Sequence, residues 1–274
     1  MRVAAAVTVD GDAVTVDFDG TDPQTPGPVN AVLAVTASAT YYAVRCVTDP
    51  DVPPNAGAYR PVEVRAPEGT VVNPDPPAAV VGGNLETSQR VTDVVLGALA
   101  ECAPERVAAA GQGTMNNVTF GGTDPREGVG DGDGARPWAF YETGGGGAGA
   151  HATGDGMDGV HVHMSNTLNT PAEVLETAYP LRVEAYSLRE DSGGAGRFRG
   201  GLGVCRDIAV RGHRATFSLL AERHEHPPYG LAGGADGTTG EALFNRTRDE
   251  QRPPGVVGAH GTDDRAETDG GESR

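Results

Sequence analysis

Lysine is absent from this 274-residue chain: each of its 21 basic residues is an arginine. Without a side-chain primary amine it can form no Schiff base, no phosphate-loop lysine contact and no carbamylated lysine bridging two metals. Pyridoxal chemistry and P-loop nucleotide hydrolysis are thereby excluded. The cysteines are three, Cys46, Cys102 and Cys205. An odd and widely spaced set argues against a disulfide framework or a four-thiolate zinc site, and fits a reducing compartment. No apolar run is long enough to span a bilayer and no charged-then-apolar leader opens the chain, so a cytoplasmic protein is expected. Positive charge is also scarce. At a net charge of −17 the surface repels phosphate backbones and anionic lipid, so neither nucleic acid nor membrane is expected as a partner. Aromatics make up only 5%, against 41 glycines and 20 prolines. That balance predicts tight turns and many short elements rather than a helical bundle.

Periodicity places those elements. Val3, Val7 and Val9 alternate with small residues, Asp10-Gly11-Asp12 supplies a turn, and Val14, Val16 and Phe18 resume the alternation, which predicts a hairpin over residues 2–18. The apolar spacing from Asn30 to Val47 predicts a buried helix capped by Asn30, and that of Val91, Val94, Val95, Leu96 and Leu99 a second over Thr87 to Cys102. Thr170, Pro171 and Glu173 form a capping-box signature for a short third helix ended by Pro180. Short strands are expected at Pro61–Val64, Val107–Ala110, Val118–Phe120 and Trp138–Tyr141, then at Leu181–Leu188, Val204–Val210 and Ala215–Leu220. Gly128 to Arg136 reads as a mobile loop. The fold class is α+β and loop-rich, with mixed or antiparallel sheets and a few packed helices. Residues 1–246 form its folded part, and 247–274 an acidic tail expected to be disordered.

Several motifs could carry chemistry. His161-Val162-His163 stands in a run expected to be extended, where a period of two sets both imidazoles on one strand face, close enough to share a divalent metal. His151, Asp155 and Asp158 lie just upstream as further donors. The alternative is a pair of hydrogen-bonded residues on a solvated strand face. His224-Glu225-His226 has the same spacing but abuts Pro227-Pro228 and reads as a surface loop. Gly82-Gly83-Asn84-Leu85-Glu86-Thr87 precedes a helix, where free amides either attract an anion or are capped by Asn84 or Thr87. The glycine strings at 154–159 and 111–113 lack a strand-to-helix context and read as turns. Residues 189–203 hold Arg189, Arg197 and Arg199 among glycines, as a tight connection or an anion-binding or docking loop. No Gly-x-Ser-x-Gly elbow occurs, so activated water is the expected nucleophile.

The strings VNAVLAVTASATYYAVR, GGNLETSQRVTDVVLGALA, DGVHVHMSNTLNTPAEVLE, YPLRVEAYSLREDSGGAGRFRGGLGV and AERHEHPPYGLAGG, in that order, resemble the C-terminal half of the hydantoinase B/oxoprolinase family. The resemblance implies part of the B-type chain of an ATP-dependent hydrolase that opens cyclic amides such as hydantoin, N-methylhydantoin or 5-oxoproline. Relatives of this kind carboxylate acetone or acetophenone, and a truncated, non-catalytic assembly module is the remaining alternative. The implied partners are a hydantoinase A-like protein that uses ATP, a separate N-terminal half of the B-type chain and a small-molecule substrate. The implied cofactor is a divalent metal, zinc or manganese. The family pattern marks His161 and His163 as candidate metal ligands. Asn84, Glu86, Arg90, Asn166, Asn169 and Glu173 are marked as candidates to line the site or its interface.

Overall fold

The computed structural model describes residues 1–49, 51–126, 136–244 and 257–261. Two β-strands, β1 (Ala6–Asp10) and β2 (Ala13–Asp17), form the expected hairpin, with Gly11 in the left-handed region at its turn. Helix α1 (Leu33–Val47) buries Thr36, Ala39, Thr40, Ala43, Val44 and Val47, a stripe at helical spacing made largely of small residues. Its two buried threonines return their hydroxyls to backbone carbonyls, Thr36 to Val72 (2.7 Å) and Thr40 to Thr36 (2.8 Å), so no donor is stranded. Asn30 does not cap this helix. Its buried amide instead ties the preceding loop together, accepting from the Thr25 amide and donating to the carbonyls of Thr25, Gly27 and Ala79. A short helix, α2 (Ala56–Tyr59), follows, capped by the Asn55 side chain. Strand β3 (Val62–Arg65) then pairs parallel to β2.

The segment expected to offer free amides before the second helix is already helical. Gly83–Thr87 forms a π-helical turn in which the Glu86 and Thr87 amides donate to the Gly82 carbonyl. It runs directly into helix α3 (Ser88–Ala100). Neither Asn84 nor Thr87 caps, since the turn consumes the amides they would have met. A Cβ on Gly83 would stand 1.9 Å from the Asn30 carbonyl oxygen, so only glycine lets the two backbones touch here. Helices α1 and α3 pack on the first sheet to form one core around Val16, Phe18, Val71, Val72, Val91 and Val95, all 0% exposed. Each such side chain contributes about 1.5–3 kcal/mol through burial.

A second core lies between two further sheets. Strand β4 (Asn117–Asp124) pairs antiparallel with β5 (Arg136–Glu142). The loop expected at Gly128–Arg136 lies outside the described residues, except that Arg136 opens β5. Helix α4 (Ala172–Ala178) is followed by β6 (Leu181–Leu188), β7 (Val204–Val210) and β8 (Ala215–Leu220), the last three matching their predicted ranges residue for residue. Strand β8 completes the sheet β5-β4-β8. Strands β9 (Ala242–Phe244) and β10 (Val257–Gly261) extend the other sheet in the order β6-β7-β10-β9, with β10 parallel to both neighbours. Residues 257–261, within the stretch 247–274 expected as a tail, are paired in this sheet. The other residues of that stretch lie outside the described ones. Phe120, Phe140, Leu175, Leu181 and Ile208 fill the space between these layers. The architecture is α+β, as predicted.

Candidate functional site

Glycine-rich segments converge between the two cores. The Ala109 and Gln112 amides donate to the Ala150 and Gly147 carbonyls, Gly146 and Val160 exchange both backbone bonds, and the Ala148 amide and carbonyl bond Met157 and Gly201. Val107–Ala110, expected as a strand, is one irregular member of this stack. A Cβ on Gly149 would lie 1.6 Å from the Ala109 oxygen and one on Gly147 2.0 Å from the Gly201 oxygen. The wall is therefore backbone against backbone, closer than any side chain permits. It encloses a cavity of about 570 Å³ lined by these glycines and by Thr114, Asn116, Glu142, Asn169, Tyr186, Arg206, Glu222 and Tyr229. Small-molecule sites have this size and this sparse set of polar groups.

Two buried ionic centres frame the cavity. In one, Glu142 at the end of β5 pairs with Arg206 of β7, each side chain 8% exposed. The other Glu142 oxygen accepts the Thr170 amide, and Arg206 donates to the Thr170 carbonyl at 3.3 Å. This corrects the capping-box expectation: Glu142, from a distant strand, takes the Thr170 amide, and Glu173 stands exposed on α4. In the second centre Asp93 of α3, 2% exposed, binds Arg90 (2.9 Å) and Arg223, which is itself 6% exposed. His163 Nε2 lies 3.8 Å from the other Asp93 oxygen, and the Tyr229 hydroxyl donates to the Asp93 carbonyl (2.9 Å). Burial pushes the Tyr229 phenol up to about 12 and pulls the Arg223 guanidinium below its usual value, an effect Asp93 opposes.

Next to this centre Glu86 is also buried. One oxygen accepts the Met115 amide (2.9 Å) and the Asn117 side chain (2.7 Å), while Tyr141 donates to Asn117 (2.7 Å). Burial holds the Glu86 carboxyl above the ordinary carboxylate value. The Thr114, Met115 and Asn117 donors oppose the shift, and the nearby Glu222 charge adds to it.

The two histidines do not share a strand face. His163 has φ +54 and sits in a turn, because the Ser165 amide folds back to the Val162 carbonyl, which also accepts from buried Gln89 (3.0 Å). The reversal separates the environments of the imidazoles. His161 bonds Ser165 (2.8 Å) and Thr167, whereas His163 faces Asp93, Arg223 and the edge of Tyr42. Burial lowers both imidazoles from their ordinary value; for His161 a hydrogen bond to the Asn169 side-chain oxygen opposes this, for His163 the Asp93 charge. Asp155 and Asp158 bind Arg199, and Asp158 also accepts the Leu202 amide, so residues 189–203 form the tight connection. Among the described residues no group of three or more His, Cys, Asp and Glu is placed to hold a metal ion. The side chains present do not fit the zinc or manganese expected at His161 and His163.

Of the remaining candidates, Asn169 lines the cavity. It donates to the Thr143 carbonyl (3.0 Å) and accepts from the Tyr186 hydroxyl (2.9 Å). Arg90 and Glu86 stand behind the wall in the polar networks, while Asn84 and Asn166 are exposed. His224-Glu225-His226 is an exposed loop, as its prolines predict. Asp93, Glu142, Arg206, Glu222 and Arg223 carry no motif that marks them in the sequence. The available signal was charge inside apolar patterns: Asp93 within the buried spacing of α3, and Arg206 with Asp207 inside VCRDIAV.

Among the described residues, no helix is long and apolar enough to cross a membrane. A family model described as hydantoinase B/oxoprolinase matches residues 1–271. The chain is 47% identical over 241 residues to an uncharacterised protein of Methanocaldococcus jannaschii, covering 88% of this chain and 40% of that one. It is 43% identical over 248 residues to 5-oxoprolinase 1 of Arabidopsis thaliana (90% and 18%). It is 35% identical over 247 residues to the putative B-type subunit of a D-/L-hydantoinase from a Pseudomonas species (88% and 40%). The chain thus spans 40% or less of the length of these relatives. Among solved structures, acetone carboxylase shares the fold at a TM-score of 0.71 and 22% identity, covering 86% of this chain and 31% of that one. ATP-dependent caprolactamase from Pseudomonas jessenii does so at 0.65 and 25% (94% and 48%).

Proposed function

The chain belongs to the hydantoinase B/oxoprolinase family, and from that premise we propose that it is part of the B-type chain of an ATP-dependent cyclic-amide hydrolase. Its substrate is a ring such as hydantoin, N-methylhydantoin or 5-oxoproline. ATP is spent by a hydantoinase A-like partner, and the N-terminal half of the B-type chain completes the site. The observation that carries this reading is the glycine-walled cavity with Asn169, Tyr186, Thr114 and Glu222 on its surface. Such rings present one or two N–H donors and one or two carbonyl acceptors in a fixed, planar geometry. A rigid wall carrying a few oriented donors and acceptors suits such a ligand.

Chemically, the ring amide is stable because nitrogen donates into the carbonyl. Phosphorylation of the amide oxygen by ATP removes that donation and prepares the carbon for water. The task left to this chain is to hold the ring, exclude bulk water and move protons. A bound divalent cation supplies Lewis-acid polarisation where it is present. The residues here do not form its donor set, so no step is assigned to it.

The test is to assemble the chain with the N-terminal half and the A-like partner and to follow ring opening of hydantoin and 5-oxoproline with ATP. ATP-dependent formation of the open acid is expected. Failure with every cyclic amide would overturn the reading, and bicarbonate-dependent consumption of acetone instead would select a ketone carboxylase.

A further inference from the structure

Among the described residues four glutamates line the cavity, and one differs from the rest. Both oxygens of Glu142 are occupied, one by Arg206 and one by the Thr170 amide. Glu105 and Glu241 are exposed residues. The Glu222 side chain is 41% exposed on the cavity surface, and Arg90 lies 4.0 Å from its carboxylate. Its backbone is fixed as well: the Glu222 amide donates to the Thr114 hydroxyl at 3.1 Å, and the next residue, Arg223, is held at φ +67 with its guanidinium on Asp93. A bulky residue keeps such a conformation only where its surroundings impose it, and here the buried ion pair does so.

From this arrangement we infer that Glu222 is the proton-transferring carboxylate of the cavity, with Arg90 and Asp93 as its positioning residues. The inference rests on the cyclic-amide reading above and assigns a residue to it. Asp93 and the Gly113 carbonyl hold Arg90, whose charge then stands 4.0 Å from the Glu222 carboxylate while leaving that group open to a ligand. Arg90 and buried Glu86, both behind the wall, are charged neighbours of that carboxylate. A carboxylate exposed at the cavity surface can reach the protons of a bound ligand and of an attacking water, the geometric requirement for proton transfer.

ATP, bound by the partner, transfers its γ-phosphoryl to the amide oxygen with ADP leaving, and the ring N–H proton passes to solvent as the C=N bond forms. Water then attacks the ring carbon: its O–C bond forms, and Glu222 takes its proton and passes it to the ring nitrogen. When the C–N bond breaks, Glu222 moves the hydroxyl proton to the departing nitrogen as the carbonyl forms. The open product is an acyl phosphate, which a second water converts to carboxylic acid and phosphate. Glu222 ends ionised, as it began.

Two measurements test this. The first needs neither ATP nor a partner: hydantoin is titrated into the purified chain by calorimetry. Glu222→Gln is expected to weaken binding at least tenfold without moving the thermal midpoint. Absence of binding to the native chain, or equal binding by the variant, overturns the assignment. The second uses the assembled enzyme. E222Q is expected to lower kcat by about 10²- to 10⁴-fold and to abolish the acidic limb of the kcat/KM profile against pH. Arg90→Gln is expected to lower kcat at least tenfold with KM within threefold of native, and an unchanged kcat overturns its positioning role. An E222Q enzyme within threefold of native kcat, or with an unchanged profile, also overturns the assignment. Loss of hydantoin binding in E222Q alongside an assembly inactive on cyclic amides would sink the hydrolase reading and leave Glu222 as a cyclic-amide contact.

Discussion

Replacing Asp93 by Asn should be among the most damaging isosteric changes in the chain, and its size can be worked from the surroundings. The carboxylate is 2% exposed and faces Arg223 at 6% and Arg90 at 22%. Burial already presses the Arg223 guanidinium toward its neutral form, and Asp93 is the main charge that opposes it. An asparagine keeps an acceptor but removes the charge, leaving one nearly inaccessible guanidinium without its counter-ion. Breaking a buried pair in this way costs about 3–5 kcal/mol. Because Asn retains one oxygen and Arg90 is partly solvated, the lower end, about 3 kcal/mol, is expected. For a chain of this size that shifts the thermal midpoint by roughly 6–12 °C. Circular dichroism melts of native and D93N protein at one pH measure it. The exposed Glu63–Arg65 pair supplies the contrast, because E63Q should leave the midpoint unmoved. A D93N loss below about 1 kcal/mol would refute the claim that this cluster is a closed, desolvated unit.

Gly113, at φ +55, crosses the same cluster, and a Cβ there would stand 2.6 Å from Asp93 Oδ2. G113A should therefore cost more than the about 1–2 kcal/mol of its backbone conformation alone, read from urea midpoints. In the other centre, E142Q should destabilise by about 3–5 kcal/mol through the stranded Arg206, whereas E142Q combined with R206M should recover part of that loss. His163 is lowered from 6.5 by burial, so its contribution to stability is present above 6.5 and is lost as pH falls through its folded value; H163N, suited to the left-handed backbone, should remove that acid-side loss in melts against pH. Glu86 runs in the opposite sense. Raised above 4.5, it contributes fully below 4.5 and loses that contribution as pH rises through its folded value, a slope that E86Q should flatten.

Legibility in the sequence divides along a physical line. Strands β6, β7 and β8 and the first hairpin are visible because their residues alternate about a layer, and alternation is a local property. Helix α1 is visible too, but its apolar spacing misidentifies the buried face: Val32 and Leu33 are exposed at 41% and 45%, while Ala39, Ala43 and two threonines face the core. The pair His161 and His163 misleads because a period of two holds only in extended chain, and a turn stabilised by Gln89, 73 residues earlier, sets the local conformation. The capping box at Thr170 fails for the same reason, since a glutamate 28 residues away outcompetes the one three residues on. Asn169 is marked by family resemblance, but no local pattern reveals its bond to Tyr186 across 17 residues.

The glycines explain why the cavity in particular is illegible. In most sites the wall is made of side chains, whose types leave a trace in sequence. Here residues near 109, 147, 157 and 201 meet through their backbones, at separations where a Cβ would lie 1.6–2.1 Å from a neighbouring carbonyl oxygen. A glycine string taken alone signals only a turn. The same physics makes the wall unusually intolerant: an alanine at position 147, 149, 156 or 201 must displace backbone, not a flexible side chain. Such a wall holds its shape without side-chain rearrangement. On the proposed reading, the few polar groups at its surface, Glu222 foremost, are the ones left to carry the chemistry that the glycines cannot.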